Sequence, residues 1–234
     1  QKLFLFDKYL NRFHSLSDSH YSFDAELGIF NDRFEIHYIN DADITKWNGS
    51  SWSNGEPAGS KKVIVNGALE LNTDIISKEL TVNEGGSVIV KAGKTLNVTE
   101  KITNNSTADK FIVESEGHVI QMANVINEGQ FTVHRNSDLM VRNDMTFWSS
   151  PVSGQNVRSF SPETLENRFW TYREDTDLFS QLFTAEGENK PSSSYNFEPG
   201  KGVSIRSRNT LPTGQSEAFA GTFVGTLNNG DIFL

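Results

Sequence analysis

The sequence predicts an all-β protein, a parallel β-solenoid-like segment flanked by partial antiparallel β-sandwich domains. Three observations carry that prediction. Short apolar-centred strands recur through residues 63–142, with Gly- and Asn-containing turns between them. Before them, residues 1–41 alternate apolar and polar with the period of two that places one face in a core and the other in water. The composition agrees, because 17 Phe supply large buried surfaces while 18 Gly, with many Asn and Ser, supply tight turns.

Taken in order, residues 1–41 contain the runs Leu3 to Phe6, Tyr21-Ser22-Phe23 and Arg33 to Tyr38, with Asp7-Lys8 and Gly28 where turns are needed. They read as the last strands of a preceding antiparallel sandwich module. Residues 42–62 read as a linker or cap. Trp47 and Trp52, spaced by Gly and Ser, are placed to cover a terminal rung that would otherwise expose backbone and core.

Residues 63–142 read as the solenoid. Val63-Ile64-Val65, Leu69-Glu70-Leu71, Leu80-Thr81-Val82, Val88-Ile89-Val90 and Leu96-Asn97-Val98 are followed by Phe111-Ile112-Val113, Val119-Ile120-Gln121, Phe131-Thr132-Val133 and Leu139-Met140-Val141. Leu80 to Leu96 is a step of 16 and Phe111 to Phe131 a step of 20, which suggests two short strands per repeat. Turns are expected at Glu84-Gly85-Gly86, Lys91-Ala92-Gly93, Asn104-Asn105-Ser106, Glu116-Gly117 and Glu128-Gly129. An antiparallel sandwich with strands every 8–12 residues competes with this reading. The Gly turns recur without obvious hairpin pairs, which favours the solenoid.

Residues 143–234 read as the start of a second β domain, richer in aromatics and charge, with an irregular loop at Pro191-Ser192-Ser193-Ser194. The Asn228-Asn229-Gly230-Asp231 stretch reads as a type I′ hairpin turn, with a further strand from Ile232. A half-built hairpin at one end and a strand opening at Gln1 suggest a piece of a longer chain. Localisation signals or catalytic regions would then lie elsewhere in that chain. Residues 1–6 lack the cleavage site of a signal peptide, and no apolar run reaches the length needed to cross a bilayer, so no membrane insertion is expected.

Charge and composition exclude several function classes. A formal charge of −9 without a visible basic stripe makes nucleic acid an unexpected partner; Lys61-Lys62 is the only adjacent basic pair. The absence of Cys removes disulfides, thiolate metal sites and cysteine nucleophiles.

Several stretches resemble large multi-domain surface proteins of gliding and related Bacteroidetes bacteria, exported by the type IX secretion system. They are Tyr21 to Glu26 with Phe30 to Phe34, Trp47 to Pro57 with Leu80-Thr81-Val82-Asn83, and Trp148 to Gly154 with Phe160-Ser161-Pro162 and Arg168 to Tyr172. The resemblance implies export as cargo of the outer-membrane secretion machinery, an extracellular or cell-surface location and an adhesive or structural role. It carries over no catalytic residues.

No catalytic, cofactor-binding or metal site is therefore expected. His14, His20, His37, His118 and His134 lack metal-ligand spacing, and Asp18 beside His20 reads as a surface turn. Asp41/Asp43 and Asp175/Asp177 place paired carboxylates on one side of an extended segment, a calcium-like pattern without the Gly or length of a calcium loop. Polysaccharide cleavage on the solenoid would need two carboxylates at catalytic separation, and Glu84, Glu114, Glu116 and Glu128 fall in or beside turns. No G-x-S-x-G or phosphate loop occurs; Gly85-Gly86 and Gly200-Lys201-Gly202 match neither phosphate-loop pattern. The alternative to an adhesive segment is a carbohydrate-binding accessory region of a secreted polysaccharide-degrading enzyme. Exposure of Trp47, Trp52 or Trp170 would favour it, with surface polysaccharide as the partner.

Overall fold

The computed structural model describes residues 2–39, 41–183 and 194–232. The chain is all-β, with a parallel, solenoid-like stack and antiparallel sheets on either side of it in sequence. No helix among the described residues is long and apolar enough to cross a membrane.

Strands β1 (Lys2–Asp7), β2 (Arg12–Ser15) and β3 (Phe34–Ile39) form an antiparallel sheet in the order β2-β1-β3. The expected strand at Tyr21-Ser22-Phe23 is absent; these residues lie in an irregular loop. Their side chains are drawn to one buried ion pair instead. Asp7 is fully buried and Arg33 nearly so, with Arg33 Nη2 2.8 Å from Asp7 Oδ2. Tyr21 donates its hydroxyl to Asp7 at 2.9 Å, and the Phe23 ring lies 4.7 Å from the Arg33 guanidinium. A buried charge is tolerable only with partners of this kind.

The stack follows. Its strands are β4 (Ile44–Trp47), β5 (Lys62–Val65), β6 (Ala68–Leu71), β7 (Ile75–Ser77), β8 (Glu79–Val82) and β9 (Ser87–Val90). Then come β10 (Thr95–Val98), β11 (Ile102–Asn104), β12 (Phe111–Val113), β13 (His118–Gln121) and β14 (Phe131–Val141). They pair in parallel along three faces: β4-β5-β8-β11, β6-β9-β12-β14 and β7-β10-β13. Each full coil therefore has three strands, not the two the spacing suggested. Leu80 and Leu96 lie on different faces, so their step of 16 is not a coil period. The step of 20 is, because Val113 sits in register with Val133. Coil lengths vary with the turns: Val63 stacks on Leu80, and Leu80 on Ile102. The stack also begins at Ile44, inside the stretch read as a linker.

Inward residues form continuous columns. Leu71, Val90, Val113 and Val133 stack on one face, and Val63, Leu80 and Ile102 on another, each at most 1% exposed. No coil could bury these residues alone. Backbone contact between coils is closest at the turns. A Cβ on Gly86 would fall 2.3 Å from the Val65 carbonyl oxygen, so only glycine fits there.

The described residues of 143–234 both extend the stack and add a second sheet. The strands here are β15 (Met145–Trp148), β16 (Val152–Ser153), β17 (Phe169–Arg173), β18 (Leu178–Gln181), β19 (Val203–Arg206) and β20 (Ser216–Leu227). Strand β20 pairs antiparallel with β14, extending the second face into a six-stranded sheet, β16-β20-β14-β12-β9-β6. A second sheet, β15-β19-β17-β18, packs nearby through Trp148, Phe160, Phe169 and Phe223, and Phe160 and Phe223 stack at 4.4 Å. One buried cluster runs from Val63 to Leu227. The expected type I′ turn does not form, since Gly230 has positive φ (91°) but Asn229 does not. Asn229 instead donates to the Ala123 and Val125 carbonyls at 2.8 and 2.7 Å. The Pro191 to Ser193 part of the expected loop, and the end of the strand expected after Ile232, lie outside the described residues.

Candidate functional site

A concavity of about 1090 Å³ lies at the N-terminal end of the stack, between the Trp47–Trp52 loop and residues Ala68 to Ile76. It exists because β6 and β7 are edge strands there, while β4 covers only the first face. Trp47 stands in register with Val65, and its indole N–H donates to the Ala68 carbonyl at 2.7 Å. Its ring lies 5.0 Å from that of Trp52. Both are half-buried and pack on the core, so they act first as a cover for the terminal rung. Two acids on the groove wall are already engaged: Glu70 reaches Lys91 at 3.4 Å, and Asp74 accepts the Thr95 amide at 2.8 Å.

The sequence-predicted groups are dispersed. Histidines are spread along the chain: His14 bonds to Ser19, His37 lies 3.4 Å from Glu35, and His134 bonds to Thr222, while His20 and His118 are exposed. Asp175 pairs with Arg173 at 2.8 Å, and Asp177 accepts from the Tyr172 hydroxyl. Asp41 to Asp43 forms a single 3-10 turn. Glu114 accepts the Ala92 amide, and that bond, with help from Lys91, holds its carboxyl below the usual range against partial burial. Glu128 pairs with Lys101 across coils, while Glu84 and Glu116 are exposed at turns.

The aromatics of residues 143–234 divide between core and surface. Alternation in β15 and β17 sends Trp148 and Phe169 inward and Phe147 and Tyr172 outward. Phe179 faces the same way, because Tyr172 and Phe179 are register partners. Phe147, Phe179 and Tyr172 are 63%, 53% and 45% exposed, yet their rings touch in a chain, at 5.9 and 5.3 Å. Trp170, two residues before Tyr172, is half-buried on that face. Beside the rings is a cleft of about 470 Å³ edged by Arg173, Glu198 and Lys201. Ring faces next to hydrogen-bonding groups can stack on the apolar faces of sugars. The sequence pointed to Trp47, Trp52 and Trp170 for this purpose; the Phe and Trp residues of 143–234, Phe147 and Phe179 among them, could also stack on sugars but read first as core. The period-two alternation around them was the available signal.

No curated protein and no solved structure matches the chain. One family model does, described as Domain of unknown function (DUF8693), over residues 40–234. The match begins just before β4, so it spans the stack and both later sheets and leaves out the sheet of β1 to β3. The chain belongs to that family.

Proposed function

We propose that this chain is a non-enzymatic segment of an exported cell-surface protein, with a structural and adhesive role, carried as cargo of the type IX secretion machinery. The observation that supports this reading most is the continuous stack, in which inward columns run from coil to coil and pass without a break into the β14–β20 sheet. Such an array resists bending because each coil is held by backbone hydrogen bonds along three faces, and it suits a spacer that holds a binding surface at a distance. Beads coated with the chain should be retained on purified cell-surface polysaccharide, and no new reducing ends should appear in that polysaccharide. Loss of retention removes the adhesive part of the proposal, and release of reducing ends removes the non-enzymatic part.

The exposed Phe147–Phe179–Tyr172 rings favour a second reading, a carbohydrate-binding accessory region within a secreted polysaccharide-degrading enzyme. A hydrolase or lyase domain elsewhere in the same polypeptide would decide for it. A run of repeated β modules would decide for the first.

A further inference from the structure

Three arginines far apart in the chain meet at one end of the β15-β19-β17-β18 sheet. Phe169 and Ile205 are register partners and both point into the core; Arg206 follows Ile205 on the outer face of its strand, and Arg168, the last residue of the 3-10 turn before β17, lies close to it. Met145 pairs with Arg206 on the other side, and Arg142 lies just before that strand, where Ser207 donates its amide to the Asp144 carbonyl at 2.9 Å. The Asp144 carboxylate is turned back to the Val141 amide at 2.8 Å. Among the described residues none of the three arginines has an ion-pair partner, whereas Arg33 and Arg173 each have one and Arg208 has two. The Nε atoms of Arg168 and Arg206 are buried with no hydrogen-bond partner, and Arg206 keeps one side-chain bond, from Nη2 to Asn209 at 3.0 Å. Burial, and then the charges of Arg168 and Arg142, make the Arg206 guanidinium easier to deprotonate than usual. Clustered like charges without counter-ions are unfavourable in the free protein, and a bound anion would relieve that repulsion.

The same outer face bears the exposed rings. Met145 and Arg206 make one row across the sheet, with Arg168 just before β17 at its end, and Phe147, Ser204 and Trp170 make the next, about 7 Å further along at two residues of strand rise. Tyr172 and Phe179 lie beyond. A ligand spanning these rows needs an anionic group at one end and apolar ring faces at the other. Arginine suits the first because its planar fork matches the oxygens of a carboxylate or sulfate. We propose that Arg142, Arg168 and Arg206 bind the carboxylate or sulfate group of an acidic polysaccharide whose sugar rings lie against Phe147, Phe179 and Tyr172. The choice of a polysaccharide as occupant rests on the adhesive reading above; the anion site rests on the arginines. A nucleic acid fits less well, since its dense phosphates would meet only three arginines in a chain of net charge −9.

Electrophoresis of the full chain through gels containing polygalacturonate, dextran sulfate or neutral dextran tests this, with a thymidine oligonucleotide in a parallel binding assay. Retardation by either acidic polymer, weakened by salt and absent with dextran, is the expected result; which polymer acts separates carboxylate from sulfate. Arg168→Gln, Arg206→Gln and the exposed Arg142→Gln should each weaken retardation about tenfold or more, and Phe179→Ala should weaken it too. Arg206→Met should raise the melting temperature of the polymer-free protein while abolishing retardation, which a purely structural arginine would not do. No retardation by either acidic polymer, arginine variants that run as wild type, or tighter binding of the oligonucleotide overturns the proposal. Arginine-independent retention on a neutral polysaccharide also overturns it, while leaving the adhesive reading intact.

Discussion

Three turns of the stack share one design, and one of them carries an unexpected residue. Gly86, Lys94 and Gly117 each donate their amide to the carbonyl three residues earlier, and the third turn position is Gly85, Gly93 or Glu116. That position has φ of 85°, 70° and 65°, the left-handed conformation a type II turn requires. Glutamate is strained there, and its side chain is exposed. Glu116→Gly is expected to stabilise the protein by about 0.5–1 kcal/mol, read as a higher denaturant midpoint at unchanged slope. Gly86→Ala should do the reverse, because its Cβ has no room against Val65. The turn glycines were legible from sequence, but Glu116 was not, since a charged residue in a loop looks ordinary until its φ is known.

The Asp7–Arg33 pair has a pH signature of its own. Hydrogen bonds from Arg33 lower the Asp7 carboxyl to about 2 against its burial, helped by Tyr21 and the Tyr9 and Leu10 amides. Its folded pKa lies below the unfolded value near 3.8, so its stabilisation is complete above that value and is lost as pH falls toward 2. Protection of the Arg33 side-chain N–H from solvent exchange, followed by NMR from pH 5 to pH 2, should decline over that window. In Asp7→Asn it should be weak throughout.

At the scale of the element, the short strands of the stack were legible because each carries apolar residues at alternate positions. Strand number per coil was not. Ile75–Ser77 and Ile102–Asn104 close the triangle, yet each ends in a polar residue that reads as a turn. Asn104 is buried because its side chain bonds the Thr107 and Gln130 carbonyls and the Ser106 amide. Only those partners, of which Gln130 comes from the next coil, make an asparagine acceptable in the column. Truncation inside a column tests the stacking. Phe111 is fully buried, with its ring 4.9 Å from that of Phe131, so Phe111→Ala should cost about 3–5 kcal/mol in equilibrium unfolding. Ile112→Ala, on the outward side of the same strand, should cost far less.

For the molecule as a whole, the sequence showed the all-β class with a solenoid-like stack, and placed a boundary at residue 142. The structure carries one sheet and one buried cluster across that point. The joining strand was hidden because β14 is parallel to its neighbour at one end and antiparallel to β20 along its length, a switch that no local pattern announces. The arginine cluster was hidden for a similar reason, since its members come together only through the pairing of β15, β19 and β17 and the turns that lead into them. A spacer role requires the stack and the later sheets to behave as one unit. The four tryptophans allow a direct test, because Trp47 and Trp52 lie at the first rung and Trp148 and Trp170 lie in the last sheet. Denaturant unfolding of two variants, one retaining each tryptophan pair and the other pair changed to Phe, should give fluorescence transitions with the same slope. Each should also coincide with that variant's own circular dichroism transition. Separate transitions at the two ends would contradict the single continuous unit on which the spacer reading depends.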